Sequence, residues 1–242
     1  MCNLYSMTSS QRAIIDLARA LRDRTGNMPV FPGVFPDYLA PIVRTGADGH
    51  RELVMARWGM PSSGKVLFDA AKKRAQKLEA KGKAVDFKEL LRMEPDSGVT
   101  NIRNVRSRHW TQWLVPEHRC LVPFTSFSEF NKSAGGNIWF AFNESRPLAF
   151  FAGIWTNWTS VRKVKEGETT SVLFGFLTTE PNTEVGRVHP KAMPVILTRP
   201  EEVEQWMSAP MDEALKLQRP LDDGTLSTVA TGPRQDQRPE AA

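Results

Sequence analysis

The sequence predicts an α+β fold whose second half is an antiparallel sheet or a partly closed barrel. Beyond residue 118 the chain breaks into short β-rich runs, each bounded by Gly, Pro, Asn or Ser. Strand-like and helix-like segments are mixed without strand–helix–strand alternation, which argues against a parallel α/β sheet. Neither a Gly-x-Gly-x-x-Gly fingerprint nor a P-loop occurs, which argues against a nucleotide-dependent enzyme.

The elements follow in order. Residues 9–25 read as an amphipathic helix with Ile14, Leu17, Ala18 and Leu21 on one face, Thr8 and Gln11 as a capping box, and Gly26-Asn27 as its end. Met28 to Pro41 holds prolines at 29, 32, 36 and 41, so it cannot be regular helix. Glu52 to Met60 reads as a strand. Val66 to Met93 is helical, broken at Gly82, with Asp86 capping a second piece that buries Phe87, Leu90 and Leu91. The later strands are Arg119 to Phe124, Ser126 to Phe130, Asn137 to Phe142, Leu148 to Trp155, Ser171 to Thr179 and Met193 to Thr198. Thr198-Arg199-Pro200-Glu201 opens a last helix, Glu202 to Ser208. The composition after Pro233 offers nothing to bury, so 1–232 is expected as the domain and 233–242 as a disordered tail.

Composition narrows the class. At 242 residues the chain suits one large domain or two small ones, and either buries a full core. Two cysteines, at 2 and 120, make neither a disulfide framework nor a Cys-x-x-Cys metal site, so a reducing, cytoplasmic setting without metal or other cofactor is expected. No run reaches the roughly 18 apolar residues of a membrane span, and the N-terminus has no secretory pattern. The net charge of +5 is a faint hint of a polyanionic partner, but its placement says more. Lys65 to Arg108 holds twelve Lys/Arg against six acids, so the remainder is near neutral. That stretch fits a solvated lysine face or a DNA-facing region.

Cys2 is the most informative position. Removal of Met1 exposes a 1,2-aminothiol whose amine titrates at about 8 and thiol at about 8.5 in model compounds. It suits condensation with an aldehyde to an imine and then a thiazolidine, or acyl transfer as in N-terminal-nucleophile hydrolases; it also fits an inert residue at a frayed terminus. Glu129 lies between Phe127 and Phe130, where a buried carboxylate would have its pKa raised toward acid/base use, although an alternating strand with a wet Glu129 fits equally. His189 sits on a loop feeding an apolar strand. Arg106, Arg108, Trp110 and Trp113 interleave as a single-strand binder would, or simply as surface arginines and core tryptophans. Cys120, in an apolar strand, reads as a small buried hydrophobe.

Seven segments occur in one family's order: Met1-Cys2; Trp58-Gly59; Asn101-x-Arg103; Arg119-Cys120-Leu121-Val122-Pro123 with the later Glu129; Phe151-Ala152-Gly153-Ile154-Trp155; Thr178-Thr179-x-x-Asn182; and His189 before Met193-Pro194-Val195-Ile196-Leu197. The chain resembles the SRAP family, the SOS-response-associated peptidases or abasic-site processing proteins, from residue 2 to about 230. The resemblance implies one α+β domain around a curved, barrel-like, mostly antiparallel sheet flanked by helices. It implies a basic cleft for single-stranded DNA and an enzyme that traps abasic sites as a thiazolidine; separately from the resemblance, no membrane or nucleotide cofactor is expected, and the oligomeric state is left open with a monomer favoured. Cys2, Asn101, Glu129 and His189 would form the reaction centre. Glu129 would shuttle protons, His189 would bond the sugar oxygen or a phosphate, and Asn101 would hold Cys2. Trp58, Gly59, Arg103, Arg106, Arg108, Thr178, Thr179 and Lys191 would meet the DNA, with Trp58 packing at the lesion. Lyase chemistry, or a peptidase activity that includes Met1 removal, also follows from the family.

The chain departs from the family's usual Cys-Gly-Arg start, reading Cys2-Asn3-Leu4. It also has Asn104-Val105 where a carboxylate is common, Tyr38-Leu39-Ala40-Pro41 in place of Tyr-Asn-x-Ala-Pro, and a longer loop His189-Pro190-Lys191-Ala192-Met193-Pro194. These changes bear on DNA affinity more than on the reaction centre.

Overall fold

The computed structural model describes residues 2–236. Strand β1 (Leu4–Met7) leads through α1 (Gln11–Ala18) to β2 (Arg22–Asp23), β3 (Phe31–Val34), β4 (Leu39–Thr45) and β5 (Arg51–Trp58). The basic stretch supplies α2 (Gly64–Glu79) and α3 (Phe87–Arg92), then β6 (Asn101–Ile102) and α4 (Arg108–Thr111). Next come β7 (Arg119–Phe124), β8 (Ser126–Asn131), β9 (Gly136–Ala141), β10 (Ala149–Val161) and β11 (Glu168–Thr179). The chain finishes with α5 (Thr183–Gly186), β12 (Met193–Pro194), β13 (Ile196–Leu197), α6 (Pro200–Ser208), α7 (Met211–Ala214) and β14 (Ser227–Gly232).

Two sheets form this single α+β domain. In the larger one, β11, β10, β7, β4 and β5 pair in that order, and the ring closes where β5 runs parallel to β11 at Arg57↔Leu173 and Trp58↔Phe174. Closure leaves these strands no open edge. The other sheet has the order β14-β9-β8-β1-β3. Tyr5 of β1 joins the two, meeting Trp58, Phe151 and Phe176 edge-on at centroid distances of 5.1, 5.8 and 6.2 Å. Phe124 and Phe151 stack at 3.9 Å inside the barrel. Such aromatic pairs add about 0.5–1.5 kcal/mol each beyond their buried area.

Several elements differ from the sequence reading, for local reasons. The first helix stops at Ala18, because Arg19 turns left-handed (φ 51°) and the chain then pairs beside β5 as β2. Leu21 is therefore 71% exposed instead of sharing a buried face. Ser10 caps this helix, while Thr8 bonds the Thr125 hydroxyl. Part of the proline-rich stretch is strand β3, paired with β1. Asp86 caps α3 as its spacing predicts, yet Phe87, Leu90 and Leu91 are only half-buried, because α3 packs mainly on α2. The 193–198 strand splits at Val195, whose N–H donates to Leu177 O and whose carbonyl accepts from Ala152. Arg199, not Thr198, precedes α6; Thr198 instead donates to the buried Glu202 carboxylate through both its N–H and its hydroxyl.

Of the stretch expected as a tail, residues 233–236 are held in place. Trp139 Nε1 donates to Pro233 O at 2.9 Å, and the buried Asp236 carboxylate accepts from Arg146 at 2.7 and 3.0 Å. The remainder, 237–242, lies outside the described residues. None of the described helices is long and apolar enough to cross a membrane.

Candidate functional site

The site is built where β1 lies against β8. Their register, Leu4↔Ser128 and Tyr5↔Phe127, brings Cys2 alongside the C-terminal half of β8. Cys2 is buried, and its thiol donates to Leu4 O at 3.4 Å. Burial, then the negative charge of Glu129, push this thiol well above the ordinary range. It therefore keeps its proton at neutral pH. Met1, whose removal the aminothiol reading requires, lies outside the described residues.

Asn101 reaches the same place from the other sheet. Strand β6 runs parallel to β11, with Asn101 opposite Phe176, and this carries the amide to the start of β1. Its Nδ2 donates to Cys2 O at 2.8 Å and to the Thr100 hydroxyl at 2.8 Å, while Thr100 donates to Asn3 Oδ1 at 3.1 Å. The Cys2 backbone is thus tied by a buried hydrogen bond, an interaction of about 0.5–1.5 kcal/mol net.

Glu129 on β8 is buried, not on a wet face, and burial lifts its carboxyl to about 7. A carboxyl at that value exchanges protons readily near neutrality. His189 follows α5, whose first turn is capped by Asn182. Its N–H donates to Val185 O at 2.7 Å, which fixes the start of the loop. Burial and nearby positive charge, including Lys191, lower the His189 pKa, so its imidazole is neutral at neutral pH. Glu129 and His189 line one cavity of about 670 Å³, together with Asn3, Leu4, Phe130 and Arg234. Cys120, by contrast, lies deep in β7 opposite Gly153.

The residues expected to meet DNA divide sharply. Arg103, Arg106, Arg108 and Lys191 are exposed, and Arg103 pairs with Glu180 at 3.1 Å. Trp58 does not present the exposed ring expected of a stacking platform: it is fully buried, stacks on Phe174 and Phe176, and donates through Nε1 to Thr100 O. Closing the barrel requires a large apolar side chain at this seam. Gly59 beside it has φ +141°, and a Cβ there would collide with the Arg162 guanidinium. It serves backbone geometry, and its carbonyl accepts from Arg162. Thr178 and Thr179 are also buried, at the end of β11 where it pairs with β12, so their side chains offer no surface to a strand.

Trp110 and Trp113 are buried too, so that the Arg/Trp alternation separates into core rings and surface cations. His109 and His118 bond the backbone at Pro61 O and Trp155 O. The lysines of α2 are exposed, whereas Arg74 and Arg92 are taken up by ion pairs with Glu94, Glu89 and Glu168. Among the described residues no cluster of three or more His, Cys, Asp or Glu is placed to hold a metal. Sequence reasoning missed Arg234, which lines the cavity, because tail-like composition around it concealed the one buried acid that anchors the segment.

The comparisons agree with this architecture. The model of the SOS response associated peptidase (SRAP) family matches residues 1–233. Crystal structures of similar fold include a protein from Bordetella bronchiseptica, 19% identical over 93% of this chain and 97% of its own, at a TM-score of 0.61. A protein from Bacteroides thetaiotaomicron is 21% identical over 93% and 90%, at 0.60. A phage-related protein from Bordetella bronchiseptica is 18% identical over 93% and 92%, at 0.59. No protein with a curated description matches the chain. With nearly its whole length covered by the family model, the chain belongs to the SOS response associated peptidase (SRAP) family.

Proposed function

We propose that this protein captures abasic sites in single-stranded DNA, forming a covalent thiazolidine through Cys2 once Met1 is removed. The observation that carries the reading is the neighbourhood of Cys2: a carboxyl lifted to about 7 beside a thiol that keeps its proton, with the Cys2 carbonyl tied by Asn101. In the open form of an abasic deoxyribose, the Cys2 amine adds to the aldehyde carbon and water leaves, giving an imine. The thiol sulfur then adds to that carbon and its proton passes to nitrogen. One C–N and one C–S bond form for one water lost. Glu129 protonates the departing oxygen and, as the carboxylate, relays the thiol proton to nitrogen. In this reading His189, which shares the cavity with Glu129, bonds the sugar or an adjacent phosphate, and tying Cys2 removes part of the entropic barrier.

The peptidase reading rests on the same cysteine and on the family's description. It needs a thiolate that attacks first, which the raised thiol pKa opposes. Exposed Arg106, Arg108 and Lys191 support a nucleic-acid partner.

Incubation with an abasic single-stranded oligonucleotide followed by a denaturing gel tests the proposal. A shifted band with wild type and none with Cys2→Ala is expected. The same unshifted DNA with both, or an intact mass that still includes Met1, overturns it.

A further inference from the structure

Strand period and register place Leu4, Ser6, Ser126 and Ser128 on one face of the β8–β1 pair, opposite the core-facing Tyr5 and Phe127. Residues 233–236 are fastened at this face. Asp236 is its lock: Arg146, itself 2% exposed, donates to the carboxylate through Nε and Nη2, and the Ser126 hydroxyl donates to the same group. The Asp236 N–H donates to Pro32 O at 2.8 Å, and Arg146 Nη2 also donates to Val229 O on β14. The segment is therefore clamped to both outer strands of the smaller sheet.

Two residues before the lock, Arg234 is exposed, with its guanidinium 5.1 Å from the Phe35 ring centroid. It forms no ion pair among the described residues, and it lines the same cavity as Glu129 and His189. A guanidinium stacked on a ring keeps its N–H edge available, and that planar fork matches the oxygens of a phosphate. At this position Leu4 contributes only apolar surface, so Arg234 is the cation on that wall.

We propose that Arg234 binds a backbone phosphate of the single strand beside the reacting sugar, held in position by the Arg146–Asp236–Ser126 clamp. This rests on the single-strand-binding reading above. The C-terminal segment is then a wall of the DNA groove, and Arg234 a binding residue outside the chemistry.

The test measures binding of the full chain to an undamaged fluorescent single-stranded oligonucleotide over a range of KCl. Arg234→Ala is expected to weaken binding about 5- to 10-fold and to flatten the slope of log K against log salt by about 0.7, with Arg234→Lys in between. Asp236→Asn is expected to weaken binding as well, although removing a negative charge from an unclamped tail would tighten it. Thermal melts check that each variant is folded; the exposed Arg234 variants decide the matter if Asp236→Asn is not. Unchanged affinity and slope in Arg234→Ala overturn the proposal. An abasic oligonucleotide below saturation separates the two readings. Cross-linking slowed in Arg234→Ala in proportion to its weaker binding supports the phosphate site, and an unslowed rate there overturns it. Absence of any wild-type adduct, with Arg234→Ala still weakening binding, removes the cross-linking reading and leaves the phosphate site supported.

Discussion

Cys2 and Cys120 are both buried thiols on strands of one molecule, and burial raises both pKa values. Around Cys120 the barrel is tight: a Cβ added at Gly153 would come within 2.8 Å of its sulfur, and the charge that acts on the thiol is the positive one of Arg44, which opposes the effect of burial. Cys2 is itself buried, but the next two residues, Asn3 and Leu4, line the cavity that holds Glu129, which acts on the thiol electrostatically, while Asn101 grips the Cys2 carbonyl. Burial alone makes a thiol inert. A proton-exchanging neighbour and an adjoining space for substrate are what separate a reagent from packing material.

The largest expected effect breaks the two thiols apart. Cys2→Ala loses the adduct entirely, whereas Cys120→Ala keeps it and lowers unfolding stability by on the order of 1 kcal/mol in denaturant titration. Trp58→Ala probes the barrel side, with an expected stability loss of about 3–5 kcal/mol. A normal unfolding midpoint with weakened DNA binding would return Trp58 to the interface. On the Cys2 side, Glu129→Gln is expected to slow cross-linking about 100-fold. It should also remove the inflection near pH 7 expected of wild type as Glu129 passes from proton donor below to carboxylate above. A rate–pH profile that keeps its inflection in the variant assigns it to another group. Asn101→Ala, which frees the Cys2 carbonyl, is expected to cost about 1 kcal/mol of activation, a several-fold slower rate at unchanged DNA affinity.

Local pattern was a good guide where one element satisfies itself. The short β-rich runs from Arg119 to Thr179 are strands, and Asp86 caps α3, since strand propensity and capping depend on neighbours in sequence. The helix forecast to residue 25 stops at Ala18 because pairing with β5 outcompetes continued helix. Trp58 shows the same limit at the site. A tryptophan beside a glycine looks alike as a stacking platform and as a barrel seam, and only its neighbours from β11 decide.

The α+β class and the family were already legible in the chain, because residue chemistry and motif order are properties of a line of text. Tertiary structure decided which residues are reachable and what each one faces. It buried Glu129 and lifted its carboxyl to about 7, turned the tryptophans inward, and brought Arg234 from an apparent tail to the wall of the cavity. Burial and electrostatic environment arise from contacts between distant segments, as when Asp236 meets Arg146 ninety residues away. No local reading of the chain contains them.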